Sequence, residues 1–272
     1  MKGLMVDILC LGTKTAEKPD TPFQIELRIL DDSTGEIETL SKKTFDINVT
    51  ETVPYSTMFS LNKYEFSNEG GQDIVGCLCQ VHDIISKCKE RGFYLIGFNH
   101  VSYDMEILNE NFTKYLEGER FNDSPKTITF DKDKIVDVMT LAGLTYDKKI
   151  IGSVSMGACF TYISYEKSDI SSVENWKNNE KTCEGDNDVT LEIYKDCLRR
   201  DNLTDFKSVS DFIYSPRKYE TFPFGKYKDF KISDVFHKDY GYVKWLMTYD
   251  KANLNYPGLI ESIKDVISSD VD

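Results

Sequence analysis

Over the first 45 positions apolar and polar residues come in short blocks rather than at helical spacing. Leu4–Leu11 is apolar but for Asp7 and stops at Gly12, which reads as a strand. Phe23–Leu30 reads as a second strand and Ile37–Phe45 as a third, with Asp31-Asp32-Ser33-Thr34-Gly35 a turn by composition. The opening is therefore a strand meander. From Gln72 to Glu90 the period changes, and Ile74, Val75, Leu78, Val81, Ile84 and Ile85 share one helical face before Arg91-Gly92 ends it. Phe93–Phe98 is a short, fully apolar run that suits a buried strand. A helix over Tyr103–Asn111 turns Ile107 and Leu108 inward.

Residues 113–134 are polar and read as a loop with a short strand at Thr127–Phe130. Val136–Leu144 reads as a helix with Asp137 near its positive end. Further helices are expected at Ser153–Tyr162 and from about Glu184 to Arg200, while 164–181 is polar without a period. Strands first, then strands alternating with helices, predict an α/β domain with a mixed sheet. The expected layout is a domain over 1–202, a connector over 203–223 and a small α+β module over 224–272, whose core is Val235, Trp245, Leu246, Leu259, Ile260 and Ile263.

Composition narrows the classes. The 272 residues carry 33 Lys and Arg against 46 Asp and Glu, a net charge of −13. That excludes a polybasic coat protein but leaves room for a local nucleic-acid groove. No apolar run is long enough to span a bilayer, and Asp7 comes too early for a signal peptide. Seven cysteines, an odd number lying mostly within apolar patterns, suit free thiols in a reducing cytoplasm. The expectation is a cytoplasmic protein.

Three acids stand out by context. Asp7 lies inside an apolar strand, Asp104 follows a buried one, and Asp186 opens a late helix. A carboxylate in such a strand costs several kcal/mol, on the order of 2–7, unless it is paired or bound to metal. His100, beside the second acid, is a further candidate base, although an exposed polar neighbour at a strand end is its ordinary reading. His82 and His237 are expected to be solvated. Lys226, Tyr227 and Lys228 belong to a basic and aromatic stretch that suits a single-stranded backbone with its bases; the alternative is a small core with wet lysines.

Together these segments resemble the DEDD superfamily of 3′–5′ exonucleases, which have a ribonuclease-H-like fold. Gly97-Phe98-Asn99 through Tyr103-Asp104 resembles the second acidic motif, Val136–Ala142 the intervening helix, and Asp186 with Thr190 the last motif. Asp188 is an alternative register that loses the Thr spacing. Thr221-Phe222-Pro223-Phe224-Gly225-Lys226-Tyr227-Lys228, Ser233-Asp234-Val235 and Asp239–Leu246 resemble the C-terminal module of the exodeoxyribonuclease X family. The resemblance implies two divalent metals, Mg or Mn, held by Asp7, Asp104 and Asp186. It also implies phosphodiester hydrolysis on single-stranded DNA or RNA.

The pattern breaks twice. Leu9 stands where the family has its metal-binding Glu, and Thr182 or Lys181 stands where it has Tyr or His. Losing a metal ligand and the group that orients the attacking water predicts a weak or inactive nuclease. Glu26, Glu106 and Glu17 are substitutes with little geometric support. The alternatives are an active metal-dependent exonuclease and a structural protein that binds a protein partner without touching nucleic acid.

Overall fold

The computed structural model describes residues 1–12, 19–33, 36–52, 65–67, 70–100, 103–116, 126–178, 182–249, 252 and 256–269. Glu17, Lys181 and the turn at Thr34-Gly35 lie outside them. The chain divides into two compact units, Met1–Ser210 and Asp211–Asp272. The division falls within the 203–223 stretch.

In the first unit β1 (Lys2–Cys10), β2 (Pro22–Asp31) and β3 (Glu38–Asp46) form the expected meander. A two-stranded ribbon follows, β4 (Thr50–Thr52) with β5 (Glu65–Ser67), and then helix α1 (Ile74–Glu90). Strand β6 (Tyr94–Gly97) leads to α2 (Asp104–Tyr115), and β7 (Ile135–Asp137) to α3 (Val138–Thr145). The sheet order is β3-β2-β1-β6-β7, antiparallel on the β3 side and parallel from β1 through β6 to β7. This is the mixed α/β sheet with flanking helices that the pattern predicts.

Helices α4 (Lys148–Ile151), α5 (Met156–Glu166), α6 (Ile170–Asn178) and α7 (Cys183–Asp201) complete the layer, and α8 (Phe206–Tyr214) follows. Three expectations are corrected. Residues 128–130 form no strand. Residues 135–137 are a strand before they become a helix, because Asp137 is the N-cap of α3 and accepts the amides of Met139 and Thr140 at 2.9 and 3.4 Å. The stretch 164–181 contains α6, whose Trp176 packs edge-on against Phe160 of α5, so tertiary packing supplies what the weak period lacked.

Alternation along β1 sends Leu4, Val6 and Ile8 to one face of the sheet, where Leu78, Val81 and Ile85 of α1 and Leu108 and Phe112 of α2 join them in the core. Met5, Asp7 and Leu9 face the other way, toward α7, which packs on β1 and β2 and carries α3 and α5 on its own flanks. His82, expected to be solvated, is buried and meets Phe112 edge-on. All seven cysteines are free. Among the described residues, no helix is long and apolar enough to cross a membrane.

The second unit contains α9 (Ile232–Lys238), α10 (Tyr240–Met247) and α11 (Leu259–Ser269) around Phe222, Val235, Val243, Leu246 and Ile263. Its β content among the described residues is two isolated bridges, Thr221 with Lys231 and Phe222 with Lys228. Gly225 closes the turn between them at φ +77°, and a Cβ there would lie 2.5 Å from the Tyr242 hydroxyl. Both the conformation and the space require glycine.

Candidate carboxylate site

The site is built on the α7-facing side of the sheet. Asp7 lies directly opposite Glu26 in the β1–β2 register, so both carboxylates share one face. Asp104 arrives from the first turn of α2, and its Oδ1 accepts the amide of Ile8 at 3.2 Å. Asp186 arrives from the first turn of α7, where Trp176 donates its indole N–H to Oδ1 at 3.0 Å.

Burial first, then the charge of Asp186, raises the Asp7 carboxyl from an ordinary 3.8 to about 7, with the Cys183 thiol and Arg28 pulling down and Glu26 pushing up within that net shift. Its Oδ2 is buried and finds no hydrogen-bond partner among the described residues. Asp104 is raised well above the carboxylate range by burial first and then by Asp7, against the pull of the Ile8 amide. Burial holds the Tyr103 hydroxyl up at about 12, with Cys10, Asp20, Asp104 and Asp7 adding to it.

The two registers of the last motif are physically distinct. Asp186 acts on Asp7, whereas Asp188 turns to the guanidinium of Arg28. Arg28 sits on β2 and is almost wholly buried. It also bonds Glu26 and donates to the Glu184 carbonyl at 2.8 Å. Glu26 is fully buried, and Thr44 and Asn187 donate to it at 3.1 and 3.2 Å. Arg28 thus grips α7 two residues before and two residues after Asp186. Neither Arg28 nor Trp176 is an obvious site residue by pattern. The available signals were an arginine inside an apolar strand and a tryptophan in a polar stretch.

Thr182 does not face the carboxylates as a water-handling group. It is the N-cap of α7, and its Oγ1 accepts the Gly185 amide at 3.1 Å. His100 is fully buried rather than exposed, and burial lowers its pKa. Its Cβ packs so closely on Gly97 that any side chain there would collide. Glu106 is exposed on α2. Lys226 and Tyr227 converge on Asp239, each donating to Oδ2, at 3.1 and 2.9 Å, and Tyr227 is buried; Lys228 is exposed.

No group of three or more His, Cys, Asp or Glu among the described residues is arranged to hold a metal ion. Leu9 lies two residues along the same face as Asp7, and the nearby fixed cation is Arg28. This donor set does not fit the pair of divalent ions that the resemblance implies.

Solved structures with this architecture identify the fold. One of exonuclease I superposes with a TM-score of 0.50 at 13% sequence identity, covering 80% of this chain and 44% of that one. The fold is that of exonuclease I. The structure of E. coli exonuclease I in complex with a 5cy-dA13 oligonucleotide gives the same TM-score at 14% identity, over 80% and 43% of the two chains. The chain spans less than half the length of these exonuclease I structures. No protein-family model matches the sequence, and no curated protein does.

Proposed function

We propose that the chain is a 3′–5′ exonuclease-like, nucleic-acid-associated protein of the DEDD type, with a C-terminal module of the exodeoxyribonuclease X kind, whose nuclease step is weak or lost. Asp7, Asp104 and Asp186 are the residues inherited from the metal site. One observation carries the reading. The carboxylate face keeps three aspartates but places Leu9 beside Asp7 and engages Glu26 with a buried arginine. Two metals need enough carboxylate charge to hold them, and a guanidinium already paired with that charge competes for it. What the residues do instead is bind one another. Arg28 fixes the first turn of α7, and Asp7 and Asp104, their pKa values raised, hold protons more tightly than free carboxylic acids.

Exonuclease I in complex with a dA13 oligonucleotide makes single-stranded DNA the ligand to try first. The test is a 5′-labelled single strand, DNA or RNA, incubated with Mg²⁺ or Mn²⁺ against EDTA, beside Asp104→Ala. The reading expects little or no metal-dependent shortening from the 3′ end. Complete digestion at catalytic amounts of protein, abolished in Asp104→Ala, overturns it and makes the protein an active exonuclease. Gain of activity in Leu9→Glu combined with Thr182→Tyr would mark the native site as a degenerate form of a working one.

A further inference from the structure

The second unit contains an unbroken run of aromatic rings. Phe230 meets Tyr227 at 6.1 Å between centroids, Tyr227 meets Tyr242 at 5.1 Å, Tyr242 meets Trp245 at 5.6 Å, and Trp245 stacks on Tyr249 at 5.1 Å and 20°. The middle of the ladder is buried and its ends are not. Tyr227 is 7% exposed, whereas Phe230, Trp245 and Tyr249 are 53%, 51% and 38% exposed. Rings needed only for a small core would be covered. These carry large π faces to the surface, held rigid from behind by their neighbours. The hydroxyl of Tyr242, mid-ladder, is buried without a hydrogen-bond partner among the described residues.

Charge indicates what the rings face. Residues 211–272 hold nine Lys and Arg against ten Asp and Glu, whereas 1–210 hold 24 against 36, so almost all of the net −13 lies in the first unit. Within the second unit Lys228, Asp229 and Lys231 adjoin Phe230 in sequence, and Lys244 precedes Trp245; all are exposed, three cations to one acid. Among the described residues, the acid that bonds the ladder is Asp239, already engaged by Lys226, Tyr227 and the Tyr242 amide. Lysine is depleted at protein–protein interfaces, whereas rings interleaved with lysines match stacked bases and a phosphate backbone.

We propose that the second unit binds single-stranded nucleic acid, with bases stacking on the exposed Trp245–Tyr249 end of the ladder and phosphates meeting Lys228, Lys231 and Lys244. The proposal rests on residues of the second unit alone, deepens the nucleic-acid-associated reading above, and does not depend on any nuclease step. Lys226 and Tyr227 then act as the supports of the ladder rather than its contacts.

The test uses the full chain in EDTA and a fluorescent oligothymidylate of about 15 nucleotides, read by anisotropy at about 50 mM salt. Trp245→Ala with Tyr249→Ala is expected to weaken binding at least ten-fold, and Trp245→Phe to restore most of it. Lys244→Gln is expected to flatten the slope of log affinity against log salt by about 0.7. Lys244→Gln removes only an exposed charge, so it decides the matter if the ring variant melts early. The proposal fails if the wild type does not bind or if the ring and lysine variants bind unchanged. It also fails if a duplex competes as well as the single strand, the result expected of plain charge attraction. Binding of the single strand that survives in both the ring and the lysine variants leaves the first-unit reading standing and overturns this one.

Discussion

The two faces of β1 are built from the same nine residues yet obey different physics. On the α1 side Leu4, Val6 and Ile8 are buried among apolar neighbours, and each adds about 1.5–3 kcal/mol by leaving water. On the α7 side Asp7, Glu26, Arg28 and Asp104 are desolvated together, and their mutual pairing offsets a penalty that no single one of them escapes. The first face is stable because it is uniform. The second is stable only as a set, and Asp7 is the member with an oxygen left over. A fold that keeps such a costly face points to function, past or present, rather than to stability.

The contrast can be broken most severely by moving a charge across the strand. Val6→Asp places an unpaired carboxylate in the apolar core and is expected to cost about 4 kcal/mol or more, enough to prevent folding, as read by urea denaturation. Removing one partner on the polar face comes next. Arg28→Met leaves Glu26 buried and uncompensated, at a cost of about 3–5 kcal/mol. Adding Glu26→Leu should recover much of that loss. A double-mutant cycle that finds the two changes additive would mean that the pair is not a unit.

Asp7→Asn is expected to work in the opposite direction. The folded protein binds the Asp7 proton up to about pH 7, the unfolded chain only up to about 3.8. The folded state therefore holds more protons between those values, and stability falls as pH rises through that window. Asp7→Asn removes this slope. It should stabilise the protein by roughly 2–4 kcal/mol at pH 8, with the advantage shrinking as pH falls through the window and vanishing below about pH 3, where Asp7 is protonated in both states. Thermal melts of both proteins at pH 5 and pH 8 measure it, and parallel curves would contradict the assignment. The smallest effect is expected from Thr182→Ala, which loses one N-cap bond and about 1 kcal/mol. A much larger loss, or a change in the titration of Asp7, would mean that Thr182 does more than cap.

Strand β1 was legible as an apolar run, and Leu78, Val81 and Ile85 of α1 from their helical spacing; which β1 residues face α1 is shown by the structure alone. The three aspartates were legible as a resemblance, and the break at Leu9 as an exception to it. The Arg28 network was not legible, because nothing local tells a buried arginine from one whose head reaches water; its partners on α7 lie 156 to 160 residues away. Trp176 was missed for the same reason: its ring serves Asp186 from a helix with weak periodicity. In the second unit the aromatic positions were visible, but which rings were buried was not. Trp245, expected in the core of the module, is half-exposed, whereas Tyr227, a candidate contact, is buried.

The hydrogen bond from the Ile8 amide to Asp104 has one more consequence. Strand β1 pairs with β6 only from Gly3 to Met5, so beyond that point its outer rim has lost its neighbouring strand. An open strand rim is a template on which another chain can zip. Here a side chain fills the gap, and the carboxylate beside Asp7 also works as a selvage that keeps the sheet from fraying into intermolecular pairing. Replacing Asp104 therefore removes a guard as well as an acid. Amide hydrogen exchange at Ile8 should quicken in Asp104→Ala, while exchange at Leu4, inside the paired stretch, should not.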